Sequence, residues 1–127
     1  MDRFATTPFS VEEQRLTDGR ALVCVRGAVD LFAAPTLKRA LVTSIDNGAH
    51  EVVLDLSETA FLDSTGLGAL LTAHRRLGSR EGRLVIVGAQ ANVLRVLEVT
   101  GLDSIFHFAP SREAALDGTS SAPPASP

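Results

Sequence analysis

The chain has no tryptophan, no tyrosine, one cysteine and, at Lys38, one lysine. The lone Cys24 has no partner for an intrachain disulfide. It falls within an apolar strand pattern, which predicts a small buried hydrophobe. Six phenylalanines are the only aromatics, so the core must be built from Leu, Val, Ile and Ala. No run of eighteen apolar residues occurs, so no membrane span is expected. Residues Met1 to Pro8 lack the basic start and apolar stretch of a signal peptide, which predicts a cytoplasmic protein. The formal net charge of −3 offers no basic patch, so direct nucleic-acid binding is not expected.

What is present suits one domain with one core: 127 residues, 45% of them hydrophobic. Phe9 to Leu16 reads as a first strand. Thr17-Asp18-Gly19-Arg20 is a turn signal, because Asp-Gly supplies the positive φ of a tight hairpin. Ala21 to Arg26 is a second strand, nearly continuous in apolar character and therefore central. A helix begins near Pro35, repeats Leu37, Leu41 and Ile45, and ends at Asn47-Gly48. Val52 to Leu56 is a third strand. From Thr65, Leu67, Leu70, Leu71 and Leu77 share one helical face, with Arg75, Arg76 and Arg80 opposite. Leu84 to Val87, a helix over Gln90 to Thr100, a short strand over Ile105 to Phe108 and a last turn capped by Ser111 complete the series. The order is β-β-α-β-α-β-α-β-α, an α/β chain with a mixed sheet of four to five strands and about four helices. Residues 1–117 are read as the domain. Residues 118–127, with only Gly, Thr, Ser, Ala and Pro, are expected to be a disordered tail.

Asp63-Ser64-Thr65-Gly66-Leu67-Gly68 is the most informative stretch. It lies where a strand turns into a helix, and the first N–H groups of a helix lack partners within it. Two readings follow. Ser64 or Thr65 caps the helix, or a hydroxyl at this electropositive end is an address for a phosphate.

Other chemistry is poorly represented. Gly66-Leu67-Gly68 lacks the third glycine of a dinucleotide fingerprint, because position 71 is Leu. There is no Gly-Lys-Ser/Thr loop. His50, His74 and His107 show no metal-ligand spacing; His50 and His107 are read as near-surface, and His74 as flanking the Leu70–Leu77 face. A Ser64–His74 hydrolase pair lacks the Gly-x-Ser-x-Gly elbow, and ten residues of helix separate the two by about 15 Å. No catalysis, cofactor or metal is expected. Asp55 ends an apolar strand, as the phosphoacceptor of a response-regulator receiver does. However, the late lysine of that family is missing, and Glu12-Glu13 is not at the end of a parallel strand.

Three separated motifs stand in order: Gly27-Ala28-Val29-Asp30 with Ala34 and Leu37; Val53 to Ser57 running through Phe61 to Gly68; and Gly82 to Gly88 with Val93 to Leu97 and Thr100-Gly101-Leu102. Together they resemble the STAS-domain family, specifically the small stand-alone anti-sigma factor antagonists of bacteria. Ala28 departs from the family's usual acidic residue. The resemblance covers roughly residues 9 to 117 and implies the STAS fold. It also implies partner switching. The unphosphorylated protein binds an anti-sigma factor serine/threonine kinase, freeing the sigma factor. Phosphorylation of the residue matching Ser64 ends that complex, and a PP2C-type phosphatase resets it. The implied partner-binding residues are Asp30, Asp63, Ser64, Thr65, Gly66 and Leu67, in a monomer or weak dimer. Two other roles of STAS relatives stand beside this one: a scaffold subunit of a stress-sensing complex, and an accessory subunit of a membrane transport system.

Overall fold

Alternation along the strands sorts their side chains onto two faces of one sheet. In the computed structural model, which describes residues 7–117, strands β1 (Ser10–Arg15), β2 (Arg20–Val29), β3 (Glu51–Leu62), β4 (Arg83–Val87) and β5 (His107–Ala109) lie in the order β1-β2-β3-β4-β5. β1 pairs antiparallel with β2, and every other pairing is parallel. Helices α1 (Ala34–Asp46), α2 (Ser64–Gly78) and α3 (Ala91–Val99) connect the parallel strands, and α4 (Arg112–Leu116) closes the described chain. The expected element order is the observed one.

Ala21, Val23, Val25, Val52, Leu54, Leu56, Leu84 and Ile86 point to one face. There they bury Leu37, Leu41 and Ile45 of α1, Leu70 and Leu77 of α2, and Val93 and Leu97 of α3. The intervening residues Leu22, Val53, Val85 and Val87 face the other side, where α4 brings Ala115. At the hairpin, Asp18 and Gly19 both take positive φ, 66° and 74°. The histidines sit much as expected: His50 is exposed, His107 is half-buried, and the half-buried His74 meets Phe106 edge-to-face with ring centroids 5.6 Å apart.

Several expectations need correction. β2 runs to Val29 instead of Arg26, and β3 to Leu62 instead of Leu56. Beyond Cys24 the register slips twice, so β3 advances one extra residue on β2 each time. The buried Thr59 hydroxyl donates to Val25 O at 2.9 Å, satisfying a carbonyl within this irregular stretch. Both strands therefore overshoot their neighbours and carry Asp30 and Asp63 to one end of the sheet. β5 begins at His107, not Ile105, which closes a 3-10 turn over Leu102–Ser104. Cys24 is half-buried, not buried, because it faces the side that α4 only partly covers; Arg112 Nη2 lies 3.0 Å from its sulfur. Burial pushes its thiol up, against the opposing charge of Arg112. The tail expected over 118–127 lies outside the described residues.

Candidate functional site

Two adjacent strands end in the same way. Val29 and Leu62 are register partners, and each is followed by an aspartate that organises the next turn. Asp30 Oδ1 accepts from Phe32 N and Ala33 N, both at 3.0 Å. Asp63, extended at φ −100° and ψ −171°, is the N-cap of α2. Its Oδ1 accepts from Thr65 N at 2.9 Å, from Gly66 N at 3.1 Å and from the Thr65 hydroxyl. The Asp63 N–H donates to Val29 O at 3.2 Å, locking the two strand ends together. The Thr65 hydroxyl, with the Gly66 and Thr65 N–H groups, holds the Asp63 carboxyl below its ordinary range, although partial burial opposes this.

The cap expected of Ser64 or Thr65 thus belongs to Asp63. Ser64 is the first helical residue, exposed, and its hydroxyl has no hydrogen-bond partner among the described residues. Thr65, half-buried, has its hydroxyl engaged by Asp63. Two neighbouring hydroxyls are therefore chemically unequal, one free and one bound.

Gly66 allows the helix to start this close to β2. A Cβ there would stand 2.4 Å from Leu62 Cδ2, 3.0 Å from Val29 Cγ1 and 3.2 Å from Val29 O. Gly66 and Leu67 are both buried, so they shape the turn from beneath. Asp30, Asp63, Ser64 and Thr65 reach solvent. The chain segments next to Asp30 and Asp63 also expose large apolar side chains that sequence reasoning missed: Leu31 is 62% exposed, Phe32 86% and Phe61 46%. Leu31 and Phe32 lie between a strand end and Pro35, outside any helical or strand period, which was the available signal. Leu31, Pro35, Lys38, Thr65, Gly68 and Thr72 line a groove of about 410 Å³ between α1 and α2. The Lys38 side chain has no ion-pair partner among the described residues.

Asp55, the position a receiver would phosphorylate, is 6% exposed and engaged. Arg112 Nε donates to its Oδ2, and Ser57 N donates to Oδ1 at 2.9 Å. Burial raises its carboxyl, but the Ser57 and Arg112 bonds outweigh this and leave it below the usual range. Its bond to Arg112 ties β3 to α4. Among the described residues, no group of three His, Cys, Asp or Glu side chains is placed to hold a metal ion. None of the described helices is long and apolar enough to cross a membrane.

Residues 12–115 match the STAS domain family. BtrV of Bordetella bronchiseptica, an anti-sigma factor antagonist by name, is 37% identical over 98 residues, covering 77% of this chain and 84% of that protein. An anti-sigma-B factor antagonist of Listeria monocytogenes is 37% identical over 86 residues, 68% of this chain and 75% of that one. The crystal structure of an anti-sigma factor antagonist from Mycobacterium paratuberculosis superposes with a TM-score of 0.79 at 29% identity, covering 91% of this chain and 98% of that one.

Proposed function

The chain belongs to the STAS domain family, and from that premise we propose that it is an anti-sigma factor antagonist that switches partners through Ser64. The observation that carries this reading is the free, exposed Ser64 hydroxyl, set between a bound Asp63 and a bound Thr65. The unmodified protein binds an anti-sigma factor that is also a serine/threonine kinase, and the sigma factor is released. Leu31, Phe32 and Phe61, exposed on the segments next to Asp30 and Asp63, give that partner apolar surface to cover.

The kinase transfers the γ-phosphoryl group of ATP to Ser64 Oγ. A P–O bond forms, the β–γ anhydride bond breaks, ADP leaves, and the hydroxyl proton passes to a base on the kinase. The product carries about −1.5 to −2 additional charge at pH 7. Asp30 and Asp63 already make this end of the sheet acidic, and neither has an ion-pair partner among the described residues. A partner surface fitted to a neutral serine then meets repulsion and an unmatched charge. A loss of about 3–4 kcal/mol weakens binding several-hundred-fold, enough to end the complex. A PP2C-type phosphatase hydrolyses the phosphoserine and restores the binding form. In this scheme the protein is a substrate and a ligand, not a catalyst, and it works in the cytoplasm as a monomer or weak dimer.

Thermal melts and binding titrations of Ser64→Ala and Ser64→Asp against one anti-sigma factor kinase test this. Because Asp63 supplies the cap, neither substitution removes it, and both variants should melt near wild type. Ser64→Ala should bind like the unmodified protein, and Ser64→Asp at least tenfold more weakly. Tight binding by Ser64→Asp with loss of binding by Ser64→Ala would refute the switch.

A further inference from the structure

A helix N-terminus offers a limited set of free N–H donors, and in α2 nearly all are taken. Asp63 N is bonded to Val29 O, and Thr65 N and Gly66 N are bonded to Asp63 Oδ1. Only Ser64 N is left for solvent or a new acceptor among the first four donors. A phosphoryl group on Ser64 Oγ arrives one residue from the carboxylate that holds the others. The anion seat expected from the sequence exists, but an anion already occupies it.

We propose that Asp63 is the residue that couples modification to surface change: the phosphoryl group on Ser64 displaces the Asp63 carboxylate from Thr65 N and Gly66 N and frees the Thr65 hydroxyl. This rests on the reading of Ser64 as the phosphoacceptor. Two physical points favour displacement over coexistence. A group of about two negative charges gains more from the positive end of the helix than a single carboxylate does. Two anions side by side at one helix end also repel, with no cation bonded to Asp63 to offset them. The backbone need not move, because Asp63 N stays on Val29 O and Gly66 keeps α2 against Val29. The displaced carboxylate and the released hydroxyl then join the phosphate on the partner-facing surface. The modified surface thus differs from the unmodified one at three consecutive residues, not one.

The test installs phosphoserine at position 64 of the full chain during synthesis, without a kinase. In the unmodified protein, Asp63→Ala should lower the melting temperature by about 4 °C through loss of the cap. In the phosphoserine form the same substitution should lower it by less than about 1 °C, because the phosphate has already taken the cap. As a second readout that needs no substitution, the Thr65 and Gly66 amide resonances of the wild-type sequence should move when position 64 is phosphorylated. Equal melting losses in the two forms would overturn the proposal, as would Thr65 and Gly66 amides that stay in place. Neither result depends on whether a kinase labels Ser64, so failure of the coupling and failure of the phosphoacceptor reading are told apart.

Discussion

The two ends of the sheet use acidic residues in opposite ways. At the start of the parallel strands, Arg20, Glu51 and Arg83 are register neighbours across β2, β3 and β4. Glu51, 8% exposed, lies 3.9 Å from Arg20 and 2.8 Å from Arg83. Beside it Asp46 pairs with Arg76 at 3.0 Å and Arg80 at 3.2 Å. Glu51 and Asp46 each face two guanidinium groups. At the far end, Asp30 and Asp63 bind backbone N–H groups and meet no cation, and Leu31, Phe32 and Phe61 are exposed on the adjoining segments. One end is arranged to hold strands together. The other caps its turns through two carboxylates and leaves charge and apolar area exposed.

That contrast is broken most sharply by removing the apolar rim. Replacing Leu31 and Phe32 together by Ser should leave stability within about 0.5 kcal/mol of wild type, because both are exposed. Kinase binding should fall by roughly 30- to 100-fold, the scale of losing two anchor side chains at an interface. A binding titration beside a urea melt checks both halves. Glu51→Ala should do the reverse. It strands two arginines against a largely buried gap, at a cost of about 1–2 kcal/mol once their partial exposure is discounted. The melting temperature should drop by about 4–8 °C while kinase binding is unchanged. The smallest effect sharpens the comparison. A Cβ on Gly68 would meet nothing within 4 Å, and Gly68 lies inside α2. Gly68→Ala should therefore raise stability by about 0.5–1 kcal/mol. If the groove it lines beside Thr65 receives the kinase, the same substitution weakens binding, separating a gain in folding from a loss in recognition.

The apolar alternation that builds the core was legible. Val52 to Leu56 and Leu84 to Val87 read as strands, and the spacing of Leu37, Leu41 and Ile45 gave the buried face of α1. The overshoot of β2 and β3 was not, because Gly27 and the polar stretch from Ser57 to Thr59 interrupt the period. What sustains pairing there is a bond between residues 34 apart, Thr59 to Val25, which no local pattern records. The cap was misassigned for a related reason. Asp63, Ser64 and Thr65 can all cap, and the choice was made by Asp63 N bonding to Val29 on another strand. Cys24 fits a buried strand by composition, but how much of its face α4 covers is a tertiary matter. The motif marks a strand-to-helix turn that carries two hydroxyls; the contacts across strands and within the cap decide which of them is free.

The most direct measurement is a phosphorylation-site map. The full chain is incubated with ATP and each candidate anti-sigma factor kinase, and the product is read by intact mass and peptide sequencing. The free Ser64 hydroxyl and the bound Thr65 hydroxyl predict a single added phosphoryl group on Ser64, and no labelling of Ser64→Ala. A phosphoryl group found mainly on Thr65, or undiminished labelling of Ser64→Ala, would contradict the account.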